Sequence, residues 1–226
     1  MTTKEEQRMK ETFEKVEKEF GFDEVTAEYV PFVDFKMRWS RSYRWIKLEV
    51  SDYFEGVPMN VIGGFARCIF TRIRGDSDVD YPKEVVEHLT SEGFLERNQP
   101  KYLGRCRRLG LDAGRNVDIT ELYRRLIEKG LTEDDPRLRI GWFDGRTQNL
   151  GTSSTLMRVV QVARALDDEK VSDNARNYAL YQSIAHIDMG FNPRTGNRKK
   201  EFEARLNRYS GREDAERELM RIGFRV

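Results

Sequence analysis

The feature that most constrains the fold is a helical segment with very few charges, NARNYALYQSIAHIDMGF, at residues 174–191. A helix advances by about 100° per residue, which places Leu180, Ile184 and Ile187 on one apolar face. The opposite face carries small, aromatic or weakly polar side chains. A helix of this composition is buried on most sides, so other elements of the chain must pack around it.

Three polar residues lie in the middle of this helix: Gln182, Ser183 and His186. Gln182 and His186 are four residues apart and share a face, whereas Ser183 lies between the two faces. Burial of a polar side chain costs free energy unless the side chain has a hydrogen-bond partner. The spacing alone allows two interpretations. Gln182 and His186 bond each other or nearby carbonyls inside a core, or they belong to a functional site.

The composition fits one substantial domain, or at most two small ones, in a chain of 226 residues. Only 38% of the residues are hydrophobic and 35% are charged, but 11% are aromatic, which is enough for a core. The 40 Lys and Arg residues nearly balance the 39 Asp and Glu residues. The resulting net charge of +1 gives no overall attraction to nucleic acid or to a membrane, so any such affinity requires a local patch.

Several classes of protein are disfavoured by what the sequence lacks. It has no run approaching the roughly 18 consecutive apolar residues of a membrane span, and its first residues, MTTKEEQRMK, lack the pattern of a signal peptide. Cys68 and Cys106 are too few for a disulfide framework or a cysteine-rich zinc site, and the two histidines, His88 and His186, limit any histidine-based metal site. We therefore predict a soluble cytoplasmic protein with no membrane attachment.

Periodicity and capping residues predict the elements of an α+β domain. Asp118 and Ser172 suit helix N-caps, and Gly21 and Gly130 suit helix ends. Helices are predicted at residues 4–20, 59–73, 83–92, 119–130, 172–189, 199–208 and 212–222. Strands are predicted on both sides of SRS (40–42) as a hairpin within residues 26–54, and at residues 137–144 and 155–163.

The predicted organisation is a single domain, 1–226, in which a small mixed sheet packs against the buried helix. It begins with the N-terminal helix 4–20 and contains an internal insertion at about 97–136, whose first part, 97–116, has little periodicity and is predicted to be irregular. The segment GRTQNLGTSS lacks the Gly-Lys-Ser/Thr ending of a phosphate-binding loop and is predicted to be a turn. His88 is predicted to be solvated, and no internal repeat is evident.

Two long segments carry a resemblance to a known family: LMRVVQVARALDDEKVSDNARNYALYQSIAH and FNPRTGNRKKEFEARLNRYSGREDAERELM. With these segments, and with SDYFEGVP and PKYLGRCRRLG before them, the chain resembles the SprT-like/YgjP-like (WLM-type) zinc metallopeptidases of the zincin group from about residue 30 onward. In that family a strand leads through an aliphatic-Asp turn to an apolar helix with the motif Tyr-His-Glu-x-x-His. A third His lies four residues before an aromatic residue that opens the next helix. The resemblance implies a zincin-like layout.

The resemblance also implies that the metal site is degenerate. Tyr181 matches the family's Tyr, Gln182 stands at the first His, Ser183 at the catalytic Glu, and His186 at the second His. Arg198, placed by its distance to Phe202, stands at the third His, and neither of the two lysines that follow it can replace a ligand. A catalytic zinc needs three protein ligands and a base for its water, so the match predicts no metal, no cofactor and no catalytic residue.

We therefore predict a catalytically inactive pseudo-metallopeptidase that serves as a binding or assembly module for a protein or ribonucleoprotein partner. As a hypothesis, Arg198 fills the former metal site with His186 and Gln182 through direct hydrogen bonds, and an anion could bind there. One alternative is a zinc-dependent hydrolase with an altered ligand set. A serine nucleophile is disfavoured because Ser183 and His186 point about 60° apart and Asp188, the nearest acid, is on another face.

A second alternative is nucleic-acid binding through basic segments that include aromatic residues. The residues concerned are Arg38, Trp39, Arg41 and Arg44 in the predicted hairpin, and Lys101, Arg105, Arg107 and Arg108 in the irregular segment. A hairpin whose aromatic residues pack inward and whose cations are solvated would give the same pattern, and an acidic protein partner would suit it as well.

Overall fold

The chain forms an α+β structure, as predicted. The computed structural model describes residues 4–21, 23–76, 79–106, 109–110, 114–145, 148–192 and 198–226. The elements in chain order are α1 (Lys4–Glu17), β1 (Glu24–Val30), β2 (Met37–Arg41), β3 (Trp45–Ser51), α2 (Met59–Arg74), α3 (Lys83–Leu89), α4 (Glu92–Arg105), β4 (Leu109–Gly110), α5 (Ile119–Glu128), β5 (Arg139–Phe143), β6 (Gly151–Ser154), β7 (Val159–Ala163), α6 (Asp173–Asp188), α7 (Lys199–Leu206) and α8 (Arg212–Arg221). None of the helices in these residues has the length and apolar composition needed to cross a bilayer.

The chain divides into two compact units. The first comprises Met1–Tyr102 and Asn192–Gly196, and the second comprises Leu103–Phe191 and Asn197–Val226. The single domain 1–226 with an insertion at about 97–136 stays a prediction. Helix α5, which lies within that insertion, contributes buried residues to the core of the second unit.

The first unit is a three-stranded sheet with helices packed against it. Strand β3 buries Ile46, Leu48 and Val50 in strict alternation with more exposed residues, which is the pattern of a strand with one buried face. The strand order is β1-β3-β2, with β1 parallel and β2 antiparallel to β3. The predicted hairpin at SRS is confirmed, since the Ser42 N–H donates to the Trp45 carbonyl at 2.9 Å to close the turn between β2 and β3.

The second unit places α6 against a sheet of strand order β4-β5-β7-β6. All five residues of β7 are buried, and β7 pairs with β5 in parallel and with the edge strand β6 in antiparallel orientation. Helix α6 starts where predicted, because the Ser172 hydroxyl accepts a hydrogen bond from the Ala175 N–H at 3.2 Å. Eleven of its 16 residues are buried, which confirms that the helix is enclosed on most sides.

The two units share one topology, although no internal repeat is evident in the sequence. Each runs helix, strand, strand, strand, 3-10 helix, helix, with α1, β1, β2, β3 and α2 in the first unit and α5, β5, β6, β7 and α6 in the second. The 3-10 helices are Asp52–Phe54 and Arg164–Leu166. In both units the third strand lies between the other two and is parallel to the first. The two units are alike in strand order and in burial. Such a likeness does not require identical residues at corresponding positions, so a search for sequence repeats does not find it.

Several predicted boundaries need correction. Residues 97–105, predicted to be irregular, belong to α4, which buries Phe94, Asn98 and Tyr102 at helical spacing and continues through Pro100. Strand pairing converts part of GRTQNLGTSS into β6, although Gly and Ser have little intrinsic preference for strands. Strands β1 and β4 were not predicted as separate elements, because their pairing with β3 and β5 rather than their composition defines them.

His88 also differs from expectation, because it is half-buried rather than solvated. Its Nε2 atom is buried with no hydrogen-bond partner among the described residues, and its ring meets Phe94 edge-on with 5.9 Å between the ring centroids. Desolvation, with a smaller contribution from Arg97, lowers the pKa of His88 below its usual 6.5.

This lowered pKa predicts a pH-dependent stability. Between the pKa of His88 in the folded chain and its value in the unfolded chain, the unfolded chain binds more protons, so the free energy of unfolding should rise with pH. We expect His88→Leu to flatten the dependence in urea denaturation between about pH 5 and pH 7. Gln7→Leu, an exposed change on α1, should leave the slope unchanged. Equal slopes for wild type and His88→Leu would contradict the prediction.

Candidate functional site

A pocket of about 260 Å³ lies in the second unit, between β6, α6 and the segment after α8. It brings together three of the residues singled out from the sequence, Gln182, Ser183 and His186. Its full lining is Asn149, Leu150, Gly151, Thr152, Ser153, Gln182, Ser183, His186 and Arg225.

Gly151 sets how closely the edge strand approaches the helix. A Cβ atom at this position would overlap the Gln161 carbonyl oxygen on the neighbouring β7 and would come within 2.7 Å of the Ser183 hydroxyl oxygen on α6. Only a residue without a side chain lets β6 pair with β7 and pack on α6 at the same time. Gly151 therefore sets the distance between β6 and α6, the two elements that line most of the pocket.

Gln182 and His186 face the pocket without partners in the described part of the chain. Gln182 is half-buried and His186 is exposed, and no hydrogen bond joins their side chains to each other or to any described residue. Phe202 stacks on the His186 ring with 4.2 Å between the ring centroids and 20° between the planes. Partial desolvation lowers the pKa of His186 below its usual 6.5, and an imidazole can donate an N–H to a ligand. The interpretation in which Gln182 and His186 bond each other or nearby carbonyls inside a core is therefore wrong for the described residues.

Ser183 is buried and already engaged. Its hydroxyl donates to the Ala179 carbonyl one turn earlier in α6, at 3.1 Å. No hydrogen bond joins it to His186 among the described residues, so the arrangement lacks the nucleophile–base contact of a serine hydrolase. Ser183 therefore acts as part of the helix surface beneath Gly151.

The structure places Arg198 elsewhere, which corrects the hypothesis that it fills the site with His186 and Gln182. Its guanidinium donates to the Met189 carbonyl at 2.7 Å and to the Gly190 carbonyl at 3.3 Å, and it pairs with Glu201. The last carbonyls of a helix lack partners within the helix, and here they attract the arginine that follows. Arg198 therefore caps the end of α6 and does not line the pocket.

The cation that does line the pocket is Arg225, which the sequence did not indicate. Its backbone N–H donates to the Gln148 carbonyl at 2.7 Å, and it pairs in parallel with Asn149 just before β6. Phe224 beside it is buried, which anchors this segment. No aspartate or glutamate is among the described residues of the lining, so Arg225 gives the pocket a positive charge among hydroxyls and amides. Such a site suits a ligand that accepts hydrogen bonds.

The zinc that the family resemblance implies does not fit these residues. The pocket offers one imidazole together with amides, hydroxyls and a guanidinium, whereas a catalytic zinc needs three His, Cys or carboxylate ligands. Across the part of the chain that the structure describes, no group of three or more His, Cys, Asp or Glu residues is arranged to hold a metal. Arg225 would also bring a fixed positive charge to the place of a cation.

The hairpin formed by β2 and β3 exposes its aromatic residues more than an inward-packed hairpin would. Trp39 is 48% and Tyr43 is 85% exposed. Arg41 lies over the Trp39 ring at 5.5 Å and Arg44 over the Tyr43 ring at 5.4 Å. Arg38 lies at 5.0 Å over the ring of Phe32.

The cations of this hairpin are nevertheless largely engaged. Arg41 donates to the Ile73 carbonyl at 2.9 Å, and Arg44 lies 4.0 Å from a carboxylate oxygen of Asp23. Charge on this surface is therefore mixed rather than uniformly basic.

The second basic segment is divided between the two units. Lys101 pairs with Glu55 at 3.2 Å within the first unit, and Arg105 is half-buried at the end of α4 in the second. Arg107 and Arg108 lie outside the described residues. Nucleic-acid binding through either basic segment stays a prediction.

Comparison of the chain with protein-family models, with curated proteins and with solved structures found no match in any of the three. The resemblance to zinc metallopeptidases therefore stays a prediction from the residues of this chain, chiefly Tyr181 and His186 on α6. Function has to be argued from the pocket itself.

Proposed function

We propose that this protein is a catalytically inactive, metallopeptidase-like binding module. It binds a segment of a protein partner, either free or within a ribonucleoprotein, in the pocket between β6 and α6. The observation that carries the proposal is the lining of that pocket. It keeps the helix face that bears Gln182 and His186 but offers one imidazole and a guanidinium instead of a ligand set for zinc. The residue at the position of the catalytic base, Ser183, is bonded to its own helix.

The edge strand supports a peptide as the ligand. Among the described strands, β6 has β7 on one side and no strand on the other, and the bridge to Arg225 lies before β6, at Asn149. The outer edge from Gly151 to Ser154 therefore offers backbone N–H and C=O groups to an added strand. Peptides bind to such edges in an extended form, with their side chains directed into adjacent pockets. Thr152 and Ser153, in the middle of β6, line the same pocket as Gln182 and His186, so a peptide along this edge could reach that pair.

Metal analysis tests the loss of catalysis. We expect protein purified without chelator to contain far less than one zinc per chain, because one imidazole holds zinc weakly. The His186→Ala variant should contain the same small amount, and neither protein should hydrolyse an unfolded protein substrate above a mock purification. Inductively coupled plasma mass spectrometry of both proteins gives the readout. Near-stoichiometric zinc in wild type that is lost in His186→Ala would overturn the proposal in favour of a hydrolase with an altered ligand set.

A further inference from the structure

The first unit contains a counterpart of the Gln182 and His186 pair. Helices α2 and α6 occupy the same place in the shared topology, and their N-caps are Pro58 and Ser172. Counted from these caps, Cys68 stands at the position of Gln182 and Arg72 at the position of His186.

The burial of the two helices supports this alignment. Nine of the ten buried positions of α2 coincide with buried positions of α6. The exception is Cys68, which is buried, whereas Gln182 is half-buried at the pocket. The two helices therefore share one burial pattern, and they differ at the position that lines the pocket in α6.

In the first unit this pair binds a backbone carbonyl. The Cys68 Sγ lies 3.6 Å from the Val79 carbonyl oxygen, and the Arg72 guanidinium donates to the same oxygen from Nε at 3.2 Å and from Nη2 at 2.8 Å. Val79 belongs to a non-helical stretch between α2 and α3, and Arg72 also lies 4.5 Å from the centroid of the Tyr81 ring. The chain itself thus supplies a main-chain ligand to this helix face.

In the second unit no described residue supplies such a carbonyl to the corresponding pair. Gln182 and His186 each have an N–H to donate, and Arg225 adds a charged donor beside them. The pocket, at about 260 Å³, is smaller than the roughly 300–1,000 Å³ typical of small-molecule sites. A stretch of main chain is a better match to this size than a cofactor.

We propose that Gln182 and His186 bind one backbone carbonyl of the partner's segment, as Cys68 and Arg72 bind the carbonyl of Val79. This inference rests on the proposed function and names the chemical group that the site recognises. The carbonyl oxygen accepts from the Gln182 amide and from an N–H of the His186 imidazole, and the segment follows the free edge of β6. Arg225 also lines the pocket, and its positive charge favours segments that carry no cation next to the bound carbonyl.

Peptides are selected from a random nine-residue library displayed on phage, with the intact chain as the target. This selection tests both the proposed peptide binding and the recognition of a backbone carbonyl. We expect selected peptides to bind the purified chain, and we expect Gln182→Leu and His186→Leu each to weaken the binding about tenfold. The control Gln7→Leu, on α1, should bind as wild type does. Circular dichroism of each variant verifies folding.

Backbone substitution in a selected peptide identifies the acceptor. Replacing the bound carbonyl by a methylene group should weaken binding to wild type about tenfold and should have little further effect on the Gln182→Leu/His186→Leu double variant. If no peptide is selected, the proposed function fails. If peptides bind but ignore both substitutions, or if binding depends on a peptide carboxylate rather than on any backbone carbonyl, only the present inference fails.

Discussion

Replacing Asp167 by asparagine is expected to lower the free energy of unfolding by about 3 kcal/mol. The Asp167 carboxylate is buried and accepts three backbone hydrogen bonds, from Arg115 at 2.6 Å and from Asn116 and Val117 at 2.9 Å each. Asparagine keeps the shape of the side chain, but its NH₂ group would face a backbone donor. A backbone N–H group would then lose its acceptor next to the buried side chain of residue 167.

The neighbouring acid provides the control for this prediction. Asp168 is exposed, and its carboxylate accepts a single backbone hydrogen bond among the described residues, from the Lys170 N–H at 2.9 Å. Asp168→Asn should therefore cost less than about 1 kcal/mol in the same urea denaturation followed by circular dichroism. Equal losses from the two variants would show that the three bonds to Asp167 contribute little. The difference matters for the site, because Asp167 fixes the chain between β7 and α6.

Gly151→Ala is the second substitution with a large expected effect. The added Cβ would overlap the Gln161 carbonyl and press on the Ser183 hydroxyl, so β6 must move away from β7 or α6. We expect the free energy of unfolding to fall by about 2 kcal/mol, in the range of overpacked sites, and the pocket to change shape. Binding of a selected peptide should also weaken, because β6 and the pocket-facing side of α6 would no longer keep their spacing.

Gly104→Ala is the matched control for the same change of residue. Gly104 lies in α4, where an added methyl group would meet no described atom of another element within 4 Å. Alanine there should raise the free energy of unfolding by about 0.5–1 kcal/mol, because glycine is the poorer helix former. If Gly151→Ala were as well tolerated as Gly104→Ala, close packing of β6 on α6 would not be what shapes the pocket.

The helices were the most predictable part of the fold. Ser172 and Asp118 cap the helices that the sequence assigned to them, and the buried character of α6 follows from its lack of charges. These features depend on residues within a few positions of one another, so they can be read along the chain. Helix α4 was missed because the predicted helix ended at about residue 92 and residues 97–116 showed little periodicity, although the buried spacing of Phe94, Asn98 and Tyr102 continues through Pro100.

The candidate site was predictable only in part. The sequence indicated Gln182, Ser183 and His186 through the resemblance of α6 to a metallopeptidase helix, and the structure brings these three into one pocket. Arg225 gave no signal, because neither its neighbours nor its spacing connects it with α6. Arg198 was placed at the site by its distance to Phe202, but the carbonyls at the end of α6 hold it outside the pocket.

By itself the sequence determined the α+β class, the position and burial of α6, and the absence of a zinc ligand set on that helix, because periodicity, capping and residue type act over short distances. Tertiary structure alone decided that β6 becomes an edge strand over α6, that Arg225 joins the pocket, and that Cys68 and Arg72 stand where Gln182 and His186 do. Each of these depends on strand pairing or packing between residues far apart in the chain, where the free energy comes from contacts that local sequence does not specify.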